Sequence, residues 1–242
     1  MPRKRADILL VERGLFESRA KARAAIEAGL VSANGITIAK PSQEIAREAE
    51  IVAESPHPFV SRGGVKLDFA LEHFGVDVKD RYCLDLGAST GGFTDALLRR
   101  GARHVVAVDV GSGQLHPRIA QDPRVTSYEK LDARALEAAH LAEAPSLVVC
   151  DASFISLAQL LERPLSLAAK EATLVALIKP QFESGRGAGK KGVVRDTAAR
   201  EAACERIAEV VTRLGWRVAG IAPSPIEGGD GNREFLLCGR RP

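Results

Sequence analysis

Two amines and two carboxylates stand where apolar runs end, and those residue types at those places could do chemistry. Asp151 directly follows the run Leu147–Cys150 and Lys179 directly follows the run 174–178. Glu234 opens the final strand-like run, and Lys66 opens a helical stretch that precedes the first strand of its region. In open α/β sheets, ligands bind beyond the carboxyl ends of the parallel strands. A last strand that runs backwards begins at that edge, and a helix descending to the first strand starts there too. The four are therefore expected to converge on one rim. Together they can orient a hydroxyl, take its proton and stabilise the oxygen left behind. A solvated strand end explains any one of these charges; four at one rim point to a site.

Beside them lies Leu84-Asp-Leu-Gly-Ala-Ser-Thr-Gly-Gly-Phe93, where a strand delivers the chain into a glycine turn and then a helix. Such a turn lets backbone approach a ligand closely. It is not the dinucleotide fingerprint G-x-G-x-x-G, because Ser89 occupies the second glycine position. Asp109 ends the next strand, 22 residues after Gly87, where a carboxylate can take both hydroxyls of a ribose. Turn and acid together predict a nucleoside cofactor. Asp132, shortly after the third strand, either lies near the adenine or caps a helix over 133–139. A second glycine-rich segment, Glu183-Ser-Gly-Arg-Gly-Ala-Gly-Lys-Lys-Gly192, fails as a phosphate loop. Only three residues separate Gly185 from Gly189, and Lys191 stands where Ser or Thr would hold magnesium. It is expected to be a mobile basic loop beside the active face, contacting RNA phosphates.

The elements that position these residues follow from hydrophobic patterning. From residue 64 onward, strand-like runs at 82–86, 105–110, 125–128, 147–150, 174–178, 216–221 and 235–238 alternate with helical stretches such as 94–100, 157–161 and 197–214. Alternation ending in a strand without a preceding helix predicts a doubly wound, Rossmann-like α/β sheet of seven strands with a closing hairpin. That organisation resembles the S-adenosylmethionine-dependent methyltransferase fold, in which the last strand is antiparallel. In front, residues 1–55 form a small α+β unit. A helix over 7–12 is broken by Gly14; a second, capped by Ser18 and closed by Gly29, buries Ala22, Ile26 and Leu30. Asn34-Gly35 predicts a tight hairpin, and 49–53 a further strand. Residues 56–64 read as a linker before the domain 65–242.

Composition narrows the function. The chain has 242 residues, 45% apolar and 27% charged, without an apolar run long enough to span a membrane or serve as a secretory signal. Residues 1–31 hold seven Lys/Arg against four Asp/Glu, which accounts for the whole net charge of +3. That local excess attracts polyanions. Cys83, Cys150, Cys204 and Cys238 lie in apolar surroundings without metal-ligand spacing, so buried thiols in a reducing cytoplasm and no metal site are expected.

The front unit is similar to the small RNA-binding domain named after ribosomal protein S4, whose second helix grips structured RNA. That resemblance nominates Arg19, Lys21 and Arg23. Over essentially the whole chain, the motifs Ser61-Arg-Gly-Gly-Val-Lys-Leu67, Cys150-Asp-Ala-Ser-Phe154, Ile178-Lys-Pro-Gln-Phe-Glu183 and Gly231-Asn-Arg-Glu-Phe235 closely resemble the TlyA family. These are ribosomal RNA ribose 2'-O-methyltransferases, historically called haemolysins and related to the FtsJ-like enzymes. The resemblance implies S-adenosylmethionine as cofactor and ribosomal RNA as substrate, cytidine by family alone. It maps the catalytic tetrad onto Lys66, Asp151, Lys179 and Glu234, and the cofactor turn onto Asp85, Gly87, Ser89, Gly91, Gly92 and Phe93, with Asp109 and Asp132 beyond it. Relatives often carry Asn in place of Asp132. Arg62 joins the RNA contacts. Lys179 is the first choice to take the hydroxyl proton, helped by the nearby cation of Lys66 and oriented by Asp151, while Glu234 positions Lys66 or the ribose. The competing assignment keeps Lys179 charged, stabilising the alkoxide. No obligatory protein partner is evident. The rival functions are an RNA-binding assembly factor without catalysis, a membrane-lytic protein, and a small-molecule methyltransferase, which would leave the basic front unit without a purpose.

Overall fold

In the computed structural model, which describes residues 2–183, 192–228 and 231–241, the chain separates into the units Met1–Pro58 and Phe59–Pro242. The front unit runs β1 (Arg3–Arg5), α1 (Ala6–Glu12), α2 (Arg19–Glu27), β2 (Val31–Ala33), β3 (Ile36–Thr37), β4 (Glu44–Ala46) and β5 (Ile51–Ala53). Ser18 caps α2 by accepting from the Lys21 amide at 3.3 Å. Ala22, Ala25 and Ile26 form its buried face; Leu30, expected there, lies beyond the helix end and is half-buried. Asn34 and Gly35 both take positive φ (49° and 76°), which turns β2 into β3. Strands β3, β2 and β5 form one antiparallel sheet, and β1 pairs with β4. Leu10, Ile26 and Ile38 fill the core between helices and strands, each stabilising by about 1.5–3 kcal/mol.

In the rear unit the order is α3 (Arg62–His73), β6 (Tyr82–Leu86), α4 (Gly92–Arg99), β7 (His104–Asp109), α5 (Pro117–Ala120), β8 (Val125–Glu129), β9 (Leu147–Cys150) and α6 (Leu157–Leu160). It continues with α7 (Glu162–Ser166), β10 (Ala172–Ile178), α8 (Pro180–Glu183), α9 (Thr197–Arg213), β11 (Arg217–Pro223) and β12 (Phe235–Arg241). The sheet order is β11-β12-β10-β9-β6-β7-β8. Strands β8, β7, β6, β9 and β10 are parallel, and β12 runs antiparallel between β10 and β11. Every residue of β6, β9 and β10 is buried, as unbroken apolar runs require when helices cover both sheet faces. The chain leaves β6 toward β7 on one side and reaches β9 on the other, so a crevice opens between the ends of β6 and β9.

Three expectations change. The unit boundary falls inside the expected linker: Val60 is buried with its amide donating to Asp95 Oδ2 at 2.8 Å, and α3 begins at Arg62. Lys66 therefore sits in the second turn of α3 instead of opening it. The helix expected over 133–139 is two 3₁₀ turns, Ala133–Ala135 and Ala138–His140, separated where buried Leu136 turns extended (ψ 133°) to reach the core. The basic loop of 183–192 lies almost wholly outside the described residues. All four cysteines are free; burial pushes the Cys83 and Cys150 thiols up to about 12, which leaves them inert.

Candidate active site

Where β6 ends, Gly87 has φ 78°, and a Cβ there would stand 2.9 Å from the Ala152 Cα that follows β9. Only a bare turn lets the two strand ends close on the crevice this tightly. The next strand contributes Asp109, whose Oδ2 accepts from the Ser89 amide at 2.8 Å and whose Oδ1 accepts from the Gly111 amide at 2.7 Å. Ser89, itself at φ 46°, donates through Oγ to Gln114 at 3.2 Å. Gly91 (φ 88°) caps α4, Gly92 packs against Ser61 Oγ, and Phe93 is buried beneath them. A cavity of about 630 Å³ extends from Gly87 and Ser89 past Asp109 and Val110 to Asp132 and Ile155. Asp132 caps the Ala133–Ala135 turn through the Arg134 amide (2.9 Å) and pairs with the Arg134 guanidinium (2.6 Å), while still lining the cavity.

Asp85 lies fully buried under this turn. Its Oδ2 accepts from Thr94 Oγ1 at 2.6 Å and its Oδ1 has no partner. Burial drives the carboxyl up to about 7, against the Thr94 hydrogen bond. An open buried oxygen, a carboxylate held by two amides and a cavity within the ~300–1,000 Å³ of small-molecule sites fit a nucleoside carrying a cationic centre.

The four rim residues form two ion pairs. Lys179 Nζ lies 2.6 Å from Asp151 Oδ1 and donates to Ser153 Oγ at 2.7 Å. Lys66 Nζ pairs with Glu234 Oε2. The register Ile178↔Phe235 carries Lys179 and Glu234 to facing positions just past β10 and just before β12. The head of α3 reaches the same place, since a Cβ on Gly63 would lie 3.6 Å from Asp151 Oδ2. A small cavity of about 160 Å³, lined by Gly63, Gly87, Ser89, Asp151 and Lys179, joins the amine to the glycine turn. Lys66, Lys179 and Glu234 are buried. Taking such charges out of water is costly unless geometry compensates, which makes buried pairs weak as stability devices. Ser153 and Gln114 were not foreseen. Ser153 was within reach of sequence reasoning, two residues past Asp151 in the same strand-end motif.

The basic residues of α2 are less free than their sequence positions imply. Arg19 donates to buried Asp7 at 2.7 Å, Lys21 pairs with Glu17, and Arg23 lies 3.8 Å from Glu27. Arg62, the first residue of α3, is exposed. Among the described residues there is no cluster of side chains suited to a metal ion and no helix long and apolar enough to cross a membrane.

Seven strands in this order, with a glycine turn at the head of the central strand and an acid at the end of its neighbour, define a methyltransferase that uses S-adenosylmethionine. The fold is shared with the N-methyltransferase NodS from Bradyrhizobium japonicum (TM-score 0.53, 15% identity, 76% of this chain and 98% of that one). Within that class the chain belongs to the FtsJ-like methyltransferase family, whose model matches residues 59–241, and an S4 domain matches residues 4–51. It is 44% identical over 238 residues to the 16S/23S rRNA (cytidine-2'-O)-methyltransferase TlyA of Mycobacterium tuberculosis, covering 97% of this chain and 89% of that protein. A solved structure from Streptococcus thermophilus, described provisionally as a hemolysin, covers 100% of this chain and 89% of its own at 40% identity with a TM-score of 0.78.

Proposed function

We propose that this protein methylates the 2'-hydroxyl of a ribose in ribosomal RNA, a cytidine ribose by the example of TlyA. The observation that carries this reading is the pair of lysine–carboxylate contacts on the strand ends beside a nucleoside-sized cavity. S-adenosylmethionine, when bound, supplies a methyl group on a cationic sulfur that leaves neutral and needs no acid. Toward it, Asp109 keeps lone pairs free for both ribose hydroxyls after accepting two amides. The cavity wall at Ile155 and Asp132 takes the adenine, and amides at the head of α4 face the carboxylate.

Toward the RNA, Lys179 meets the 2'-hydroxyl and, as the neutral amine once its own proton has passed to solvent, takes the hydroxyl proton while the oxygen attacks the methyl group. Asp151 and Ser153 fix the direction of that amine. Lys66, pinned by Glu234, holds the ribose in line with the sulfur. The S4 domain supplies grip on RNA through α2, with Arg62 contributing from α3. Replacing Lys179 by Ala is expected to lower tritiated-methyl incorporation into ribosomal RNA by about 10²–10⁴-fold while cofactor affinity stays within about twofold. An Ala variant with the wild-type rate overturns the assignment. Mapping 2'-O-methyl marks in cells with and without the protein tests the substrate.

A further inference from the structure

A second cavity, of about 440 Å³, opens on the same rim, on the far side of the lysine pairs from the cofactor crevice. Strand order sets the sequence of features along that rim. Asp109 on β7 and Gly87 after β6 mark the cofactor half, then come Asp151 after β9, Lys179 after β10 and Glu234 before β12. The second cavity lies last, between the end of β11 and the head of α9. Glu234 belongs to both places. Its Oε2 receives Lys66, its backbone carbonyl accepts from the Ser224 amide at 2.9 Å, and the residue forms part of the cavity wall. Gly228 packs so closely that a Cβ would come within 2.6 Å of Glu234 Oε1. Whatever fills the cavity therefore abuts the residue that pins Lys66.

The lining identifies the occupant by its chemistry. Pro223, Ile226 and Phe235 give apolar surfaces, and Glu201, Glu227 and Arg233 stand around them. A splayed-out RNA base is read in this manner, stacked on an apolar or guanidinium plane and hydrogen-bonded along its edge. Carboxylates only accept, so two of them can take both hydrogens of an amino group where uracil offers a single N3–H, which favours cytosine, adenine or guanine over uracil. The volume falls within the ~300–1,000 Å³ of small-molecule sites. The cavity begins at Glu234 and Phe235, one strand spacing from Lys179, but its far wall with Glu201 and Glu227 lies on α9 and past β11, about two strand spacings (roughly 10 Å) away and beyond the reach of a base from its own 2'-oxygen.

We infer that this cavity receives the base of the nucleotide next to the methylated ribose, and that Glu201 and Glu227 select a base bearing an amino group there. The inference rests on the ribose methyltransferase reading and specifies its substrate. The test uses tritiated S-adenosylmethionine, the full chain, and ribosomal RNA fragments with cytosine or uracil at each position flanking the methylated one. For the wild type, uracil at one flank is expected to lower kcat/KM about tenfold. In Glu201→Gln/Glu227→Gln, whose exposed isosteric changes leave folding alone, that preference falls below about twofold. Ile226→Trp, which fills the cavity, raises the KM for RNA about tenfold with kcat and cofactor affinity nearly unchanged. A wild type indifferent to both flanks, or a preference that survives in the double variant, overturns the inference. If the wild type methylates no RNA ribose, the broader reading falls. Filter binding of the same fragments then decides for the cavity: a cytosine preference lost in the double variant supports it, and equal binding overturns it.

Discussion

Asp7 in the front unit and Asp85 in the rear unit are equally buried, both 0% exposed, yet their carboxyl groups move in opposite directions. Asp7 is held down to about 2, first by its hydrogen bonds to the Arg5 guanidinium and, after the opposing cost of burial, by Arg19. Asp85 is pushed up to about 7 by burial, with a single hydroxyl from Thr94 to resist it. Both are closed off from solvent, but Asp7 lies under the half-exposed arginines that pair with it and Asp85 in the middle of the large sheet, so setting and partners both differ. A carboxylate between two guanidinium groups is a clasp that ties β1, α1 and α2 together. A carboxylate with one oxygen unpartnered under a glycine turn costs stability, a cost met more often at functional sites than in structural clasps.

The largest effect that could break this contrast is on the cofactor. Asp85→Asn should weaken S-adenosylmethionine binding by about 10–100-fold in calorimetry, the worth of one charged hydrogen bond. Its stability at about pH 8 should hold or rise, because an ionised buried carboxylate is removed. Unchanged cofactor affinity would reduce Asp85 to a structural residue like Asp7. Next, Asp7→Asn strips the charge from the clasp and should cost about 1–3 kcal/mol in urea unfolding without touching cofactor affinity.

Proton linkage sharpens the comparison further. Asp7 titrates below its ordinary 3.8 in the folded chain, so its stabilisation is present above that value and drains away as pH falls toward about 2. Asp85 titrates above 3.8, so its contribution is complete below that value and is lost as pH rises toward and through about 7. Unfolding midpoints should decline on both sides of the acid range, and each Asn variant should flatten only its own limb. The smallest effect concerns RNA. Arg19→Ala with Arg23→Ala should lower the salt slope of RNA affinity by about one, not two, because Asp7 already matches the Arg19 charge. An unchanged slope removes α2 from the RNA grip.

Sequence patterning reproduced β6 and β9 residue for residue, since Tyr82–Leu86, apolar but for Asp85, stops at the Gly87 turn and the apolar run Leu147–Cys150 stops at Asp151. Strands β1 and β4 were invisible: Arg3-Lys-Arg and Glu44-Ile-Ala have no apolar alternation and exist only through pairing across the unit. The helix over 133–139 failed because Leu136 answers to a tertiary core and not to local propensity. At the site, types and strand ends sufficed to bring Lys66, Asp151, Lys179 and Glu234 to one edge. Lys179 meets Asp151 as expected; the sequence leaves open whether Glu234 meets Lys66 or the ribose, and the register of β10 against an antiparallel β12 brings it to Lys66. Sequence also cannot show that Arg19 is spent on Asp7, twelve residues earlier.

Because β12 is threaded between β10 and β11, the last-made strand of the sheet is an interior one. The counter-ion of Lys66 arrives 168 residues after it, on the residue that leads into this strand. During synthesis β11 has no neighbour to pair with, and the amine has no acid to meet, until residues 234–241 emerge. The interior of the sheet and the Lys66–Glu234 pair are thus completed together, by the same last residues of the domain.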